Sequence, residues 1–234
     1  MRDINKNKFR ENINEIIEET TPTLKDIKDT KDKNVKSRLE TYLLSNLLEK
    51  TIAHYSIGDD KELVKQSLLE TIDAFENGFE WKGFKVNYGG VDTMIWIVSL
   101  AILCDISLED FKRITKVIKR DNVKDKLLDF LVSYKDSDWS ESSNNYIQEY
   151  PYKSIDSLLE ETNSEVAVQK TNTYLTNNWY QGHDESYWHN SHKNALNLYF
   201  GYWAWEVAAI AKIKGIDDSG LQNQKYYPYD AVHW

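Results

Sequence analysis

"MIWIVSLAILC", residues 94–104, is the stretch whose reading decides the fold. It is the most apolar run in the chain, yet about half the ~20 residues that a membrane-spanning helix needs. We read it as a helix buried inside a protein, starting from about Asp92. Before it lies "ENGFEWKGFKVNYGG", the main glycine-bearing connection. After it, "SLED" at 107–110 resembles a capping box with Asp110 where Glu is usual. That box opens a helix carrying Phe111, Ile114, Val117 and Ile118, and one more follows near 123–134.

The rest of the chain is helical in pattern too. Ile4, Phe9, Ile13, Ile16 and Ile17 mark a first helix, expected to end near "TTPT", where Pro22 can begin the next. A second carries Leu39, Leu43, Leu47, Leu48 and Ile52 and stops at "IGDD". There Gly58 fits a C-cap, and Asp59 or Asp60 an N-cap. A third carries Leu63, Leu68, Leu69, Ile72 and Phe75. Beyond the first half, "KDSDWSESSNNYIQEYPYK" loses the apolar period and reads as a long loop. Helices over about 153–162, 164–178 and 190–214 follow, and "DDSGLQNQKYYPYDAVHW" forms a tail. The expectation is an all-α bundle of roughly eight to ten helices in two packed halves: 1–134, then an acidic aromatic loop 135–152, then 153–234. Nine glycines and three prolines in 234 residues agree with helices rather than a turn-rich β fold. A chain of this length buries a core that needs no staples. The one cysteine, Cys104, excludes an internal disulfide.

The net charge of −9 excludes direct nucleic-acid binding, which needs a basic footprint. Residues 1–120 hold 20 Lys and Arg against 21 Asp and Glu, whereas residues 121–234 hold 9 against 17. Nearly all of the excess therefore belongs to the second half, as for a face that meets a basic partner. No apolar leader opens the sequence, and a cytoplasmic protein without a membrane segment is expected.

Three groups of residues could carry chemistry. "GHDESYWHNSHKN" offers His183, Asp184, Glu185, His189 and His192, and a helix would place His189 and His192 at i and i+3 for a metal. The other reading leaves these histidines bonded to nearby backbone or carboxylates. Glu206, in "YFGYWAWEVAAIAKIKGIDD" at 199–218, sits among apolar neighbours that would raise its pKa. It is either a general acid or a staple that accepts bonds from tyrosine hydroxyls, indoles or tail amides, and the donors nearby favour the staple. "YYPYD" at 226–230 is expected to supply such donors. The third group is acidic: Asp136, Asp138, Glu141, Glu149, Asp156, Glu160, Glu161 and Glu165 against Lys153 alone, interleaved with Trp139, Tyr146, Tyr150 and Tyr152. It is a partner-docking surface or a solvated loop. No phosphate-loop, dinucleotide, nucleophile-elbow or zinc-protease signature occurs, and Cys104 lies in an apolar run without a base, so no enzyme and no cofactor are expected.

With these residues in view, the chain resembles the PoNi family of bacterial immunity proteins. "EYPY", "YWHNSHKN", "YFGYWAWEVAAIAKIKGIDDSGL" and "YYPYD" carry the likeness, in that order, with "GYWAWE" where the family has "GYWSFE". "WIVSLAILCDISLEDF" carries it in the first half. The resemblance implies an all-helical protein that binds and neutralises a PoNe-type DNase toxin delivered by a contact-dependent secretion system. On that view Tyr199, Gly201, Tyr202, Trp203, Glu206, Asp217, Asp218, Tyr227, Pro228, Tyr229 and Asp230 hold the fold. Asp136, Asp138, Trp139, Glu141, Tyr146, Glu149, Tyr150, Asp156, Glu160 and Glu161 would then meet the toxin's basic cleft, with Trp139 and the tyrosines as anchors. A metal-dependent hydrolase using His183, His189, His192 and Glu206, or an acidic scaffold for another basic partner, are the alternatives. Self-association stays open.

Overall fold

The computed structural model describes residues 6–81, 88–193 and 199–234. Among the described residues there are helices and turns but no strand, so the fold is all-α. The eight helices of ten residues or more among the described residues are α1 (Lys6–Asp29), α2 (Lys33–Ile57), α3 (Lys61–Gly78), α4 (Tyr88–Leu103), α5 (Leu108–Arg120), α6 (Lys126–Lys135), α9 (Ser164–Tyr174) and α10 (Trp205–Lys214). Single-turn helices α7 (Glu149–Tyr152), α8 (Asp156–Leu159) and α11 (Tyr229–Val232) complete the set.

The apolar run at 94–104 is the centre of the molecule. Met94, Ile95, Ile97, Val98, Leu100 and Ala101 of α4 have no exposure, and α3, α5, α6 and α10 all pack on that helix. α10 thus lays the second half of the chain against the first, and a single hydrophobic core runs through both.

The helix ends in the first half follow their capping chemistry. Gly58 closes α2 in the left-handed region (φ 83°), and the Asp60 carboxylate caps α3 by accepting from Leu63 N at 3.0 Å. Ser107 caps α5 by accepting from Asp110 N at 3.0 Å. Its hydroxyl also donates to Asp110 Oδ2 at 2.6 Å, a closed pair that the shorter acid makes in place of the usual reach back to the backbone.

Three expectations need correction. First, α1 does not end at "TTPT" but runs 24 residues with Pro22 inside it. The apolar stripe Phe9, Ile13, Ile16 continues through Thr20, Thr23 and Ile27 on the same face. Pro22 and Glu18 are both exposed, which puts the helical bond that Pro22 cannot make on the outward side of α1. Ile4 lies outside the described residues.

Second, no helix spans 190–214. Residues 191–193 form a 3-10 turn, 194–198 lie outside the described residues, and 199–204 have no helical backbone before α10 starts at Trp205. Gly201 explains the break: its φ of 116° is one that L-residues avoid, and a Cβ there would overlap Ser56 Oγ and the Trp203 indole. Ser56 Oγ donates to Phe200 O at 2.7 Å and accepts from Trp203 Nε1 at 2.8 Å, pinning the segment to α2. Gly201→Ala should therefore cost about 1–3 kcal/mol, read as a lower denaturant midpoint with an unchanged slope.

Third, the loop after α6 is not a solvated strap. Trp139 is 9% exposed and donates its indole N–H to Asp129 Oδ1 at 3.0 Å, while Ser143 N donates to Asp129 Oδ2 at 2.7 Å. Asp125 caps α6 with one oxygen and accepts from Ile147 N at 2.8 Å with the other. Two carboxylates of α6 thus order the loop backbone by satisfying its donors.

Candidate functional site

Where α4 meets the second half, a fully buried polar network is built around Asp92. Asp92 stands in the first two turns of α4; its Oδ1 accepts from Tyr152 Oη at 2.6 Å and its Oδ2 from Ser186 Oγ at 3.1 Å. His183 Nε2 lies 3.4 Å from Asp92 Oδ1, and His183 Nδ1 donates to the Trp179 carbonyl at 2.5 Å. The Tyr152 proton goes to Asp92, so both imidazole nitrogens face acceptors. That arrangement fits an imidazolium. Burial pushes His183 down, but Asp92 outweighs it and the ring titrates above its ordinary value. Burial likewise pushes Asp92 up, and the His183 cation with its hydroxyl partners brings it below the usual carboxylate range. With its ring protonated, His183 forms a buried ion pair with Asp92, and its Nε2 also meets Tyr152 Oη at 3.2 Å.

Glu206 lies beside it with no exposure, in the first turn of α10 rather than mid-helix. Its Oε1 accepts from Tyr174 Oη of α9 at 2.9 Å, and its Oε2 has no partner among the described residues. Burial pushes its carboxyl up to about 7. The expected donors differ from the observed one. Tyr227 donates instead to Oδ2 of buried Asp218 at 2.7 Å, and Asp218 Oδ1 meets His233 Nε2 at 2.9 Å. Tyr226 stacks on Tyr180, ring centroids 5.4 Å apart, and its carbonyl accepts from Ala204 N at 2.9 Å. Trp203 is committed to Ser56. Tyr202 takes a bond from His192 N at 3.2 Å and contacts His192 Nδ1 at 2.9 Å, and Tyr199 packs edge-on against it. Asp217 is exposed and accepts from Ser219 N at 3.2 Å, Pro228 is buried ahead of α11, and Tyr229 packs on His233. Asp230 is exposed and raises the Tyr55 phenol, behind the larger effect of burial.

The three histidines do not converge. His183 is in the ion pair, His189 lies 4.2 Å from the Tyr180 ring, and His192 is with Tyr202. Among the described residues no group of three or more His, Cys, Asp or Glu could hold a metal ion. Asp184 and Glu185 are exposed. The sequence reading missed Asp92 and Tyr174 as partners here, and it grouped Tyr152 with the acidic surface although that ring is fully buried. A lone carboxylate at the head of the most apolar run was a signal of the same kind as Glu206.

The acidic residues divide by where they face. Asp136 and Tyr146 are buried like Trp139: Asp136 Oδ2 accepts from Thr115 Oγ1 at 3.0 Å, and Tyr146 donates to Asp156 Oδ1 at 2.7 Å. These three are not available as anchors, because they hold the loop on the core. Asp138 is 77% exposed and Glu149 70%, and Tyr150, Glu160 and Glu165 also face solvent. Lysines from elsewhere reach the ridge. Lys112 bonds Asp138 at 2.6 Å, Lys124 bonds Glu141, Lys126 bonds Asp156 at 2.5 Å, and Lys170 bonds Glu161 at 2.8 Å. The local excess of negative charge is smaller than the sequence segment alone indicates.

No described helix is long and apolar enough to cross a membrane. No curated protein matches the chain. Among solved structures, the crystal structure of protein PA2201 from Pseudomonas aeruginosa is similar, with a TM-score of 0.70 at 15% identity over 99% of this chain and 89% of that one. At such identity the likeness concerns the fold alone. Residues 2–116 match the family model for the N-terminal part of PoNe immunity proteins (PoNi), and residues 123–231 match that for the C-terminal part. Immunity proteins are inhibitors rather than catalysts, which removes the hydrolase alternative. Matched by both parts in order over nearly its whole length, the chain belongs to the PoNi family of PoNe immunity proteins.

Proposed function

We propose that this immunity protein neutralises a PoNe-type DNase toxin by seating its exposed acidic ridge on the toxin's basic cleft, so that DNA is kept out. The observation that carries this reading is that the carboxylates Asp138, Glu149 and Glu160 and the Tyr150 ring all face solvent, Glu149 with Lys153 at 3.3 Å. Glu141, Asp156 and Glu161 supply further charge at its edge. Opposite charge on two partners speeds encounter toward ~10⁸–10⁹ M⁻¹s⁻¹ at low salt. A tyrosine that loses its solvent on docking would slow release. A total interface of about 1,600 Å² suits an inhibitor complex of this kind. The buried network and the aromatic segment keep the ridge in place and take no part in recognition. The protein would act in the cytoplasm, where an incoming nuclease meets DNA.

The test is the triple reversal Asp138→Lys, Glu149→Lys and Glu160→Lys. Asp136 is left alone because it is buried. Titration against a catalytically inactivated cognate toxin should show at least tenfold weaker affinity, mostly through a slower on-rate, with an unchanged melting temperature. Unchanged affinity at low salt would reject the ridge.

A further inference from the structure

α1 and α3 both pack on α2, and between them they leave a groove of about 710 Å³. Its walls and floor carry Ile17, Leu24, Leu43, Leu47, Leu63 and Ala74. Ile17 is 52% exposed, Leu24 51% and Leu63 39%, so three large aliphatic side chains on two different helices face the same open space. Scattered exposed leucines need no explanation, whereas a shared apolar trough does. The groove follows α2 from Glu40 to His54, 15 residues that span about 21 Å of helix. Three helices around an apolar trough form three sides of a four-helix bundle, and the missing side has the length of a four-turn helix.

The charge of the lining selects among occupants. Glu40, Glu70 and Asp73 stand along it: Lys36 reaches Glu40 at 3.8 Å, the nearly buried Lys50 pairs with Glu70, and Arg113 is shared among Asp73, Glu76 and Asp110, so carboxylates stay in excess on the α3 side. His54 is engaged by Asp59 at 2.7 Å. An apolar floor edged with carboxylates fits an amphipathic helix whose border is basic.

The groove also adjoins the acidic ridge. Asp73, on the groove wall, is bonded by Arg113 of α5 at 2.5 Å. The next residue back on α5, Lys112, bonds Asp138 of the ridge at 2.6 Å. Only the width of α5 separates the two surfaces. We infer that the groove seats an amphipathic, basic-bordered helix of the same toxin, so that one partner straddles α5 and engages this chain at two places. The inference rests on the family's toxin binding and is independent of whether the ridge makes the contact proposed above.

The experiment uses the full chain and the catalytically inactivated cognate toxin, with three variants measured in parallel. Leu24→Glu/Leu63→Glu should bind at least tenfold more weakly and lose protection in cells, with a melting temperature within about 2 °C of the parent because both positions are exposed. Leu24→Ala/Leu63→Ala, which adds no charge, should weaken binding in the same direction by a smaller factor. Normal binding by both groove variants overturns the inference, whatever the ridge variant does. Loss in the groove variants beside normal binding by the ridge variant supports the groove and sinks the ridge alone. Sedimentation of the parent protein gives the remaining arm: a dimer that Leu24→Glu/Leu63→Glu dissolves would assign the groove to a second copy and overturn the toxin helix.

Discussion

Asp92→Ala should lower stability by about 3–5 kcal/mol, the usual cost of stripping one partner from a buried ion pair. The substitution leaves His183 in the core without its anion and removes the acceptor of Tyr152 and Ser186. In a chain of this length each kcal/mol moves the melting temperature by roughly 2–4 °C, so a fall of about 10 °C or more is expected. Asp92→Asn keeps one acceptor and should lose less. The pH dependence has a definite sign. His183 is raised in the fold, so its contribution is whole below its unfolded value of 6.5 and fades as pH rises through the raised one. Asp92 is lowered, so its contribution is whole above 3.8 and fades as pH falls through the lowered value. Between those unfolded values both are complete, and thermal melts there should separate parent from variant most. Equal melting temperatures in that window would show that the pair contributes nothing.

Glu206→Gln should do the reverse and stabilise the protein at alkaline pH. Glu206 is fully buried, and its carboxyl rises from 4.5 to about 7 on folding, so folding takes up a proton. The penalty for holding the carboxylate is absent below about 4.5 and complete above about 7. That penalty amounts to about 3 kcal/mol at most. Glutamine keeps an acceptor for Tyr174 and carries no charge, so it should melt higher than the parent at pH 8 and about level with it at pH 4.5. Glu206→Ala removes the acceptor as well and should melt lower at both, since the Tyr174 hydroxyl is left unpaired in the core. Melts of the three proteins at two pH values check this. If Glu206→Gln lost protection against toxin while melting normally, the carboxylate would have a role beyond the core.

The all-α fold was legible because its strongest signals are local. The apolar run at 94–104 could only be covered by other helices, and Gly58, Asp60 and Ser107 close or open helices with their own side chains or backbone. What misled was whatever depends on distant residues. Pro22 reads as a helix start until its place on the outward side of a continuous α1 is known. "YFGYWA" has helical spacing, but the partner that bends it, Ser56, is 145 positions before Gly201. Trp139 looks like an exposed anchor in a polar stretch, and its partner Asp129 lies one helix back. Tyr152 and Asp92 meet across 60 positions, which no local pattern can show. Glu206 was recognisable as a buried acid, while Tyr174 was not recognisable as its donor. The ridge was legible as acids only, because the lysines that reach it come from α5, α6, α9 and the connection before α6.

If the toxin docks on the ridge as proposed, those borrowed lysines change what the contact consists of. A toxin arginine that takes Asp138 must first displace Lys112, and one that takes Glu141 must displace Lys124. Each displaced ammonium then swings into water and recovers the rotamer freedom that its pairing had restricted. Contact on this surface becomes an exchange of counter-charges in which the number of ion pairs barely changes. A planar guanidinium, able to grip both oxygens of a carboxylate, holds the advantage over the lysine it replaces. Discrimination between one nuclease and another would then follow from where each places its arginines, more than from how positive it is as a whole.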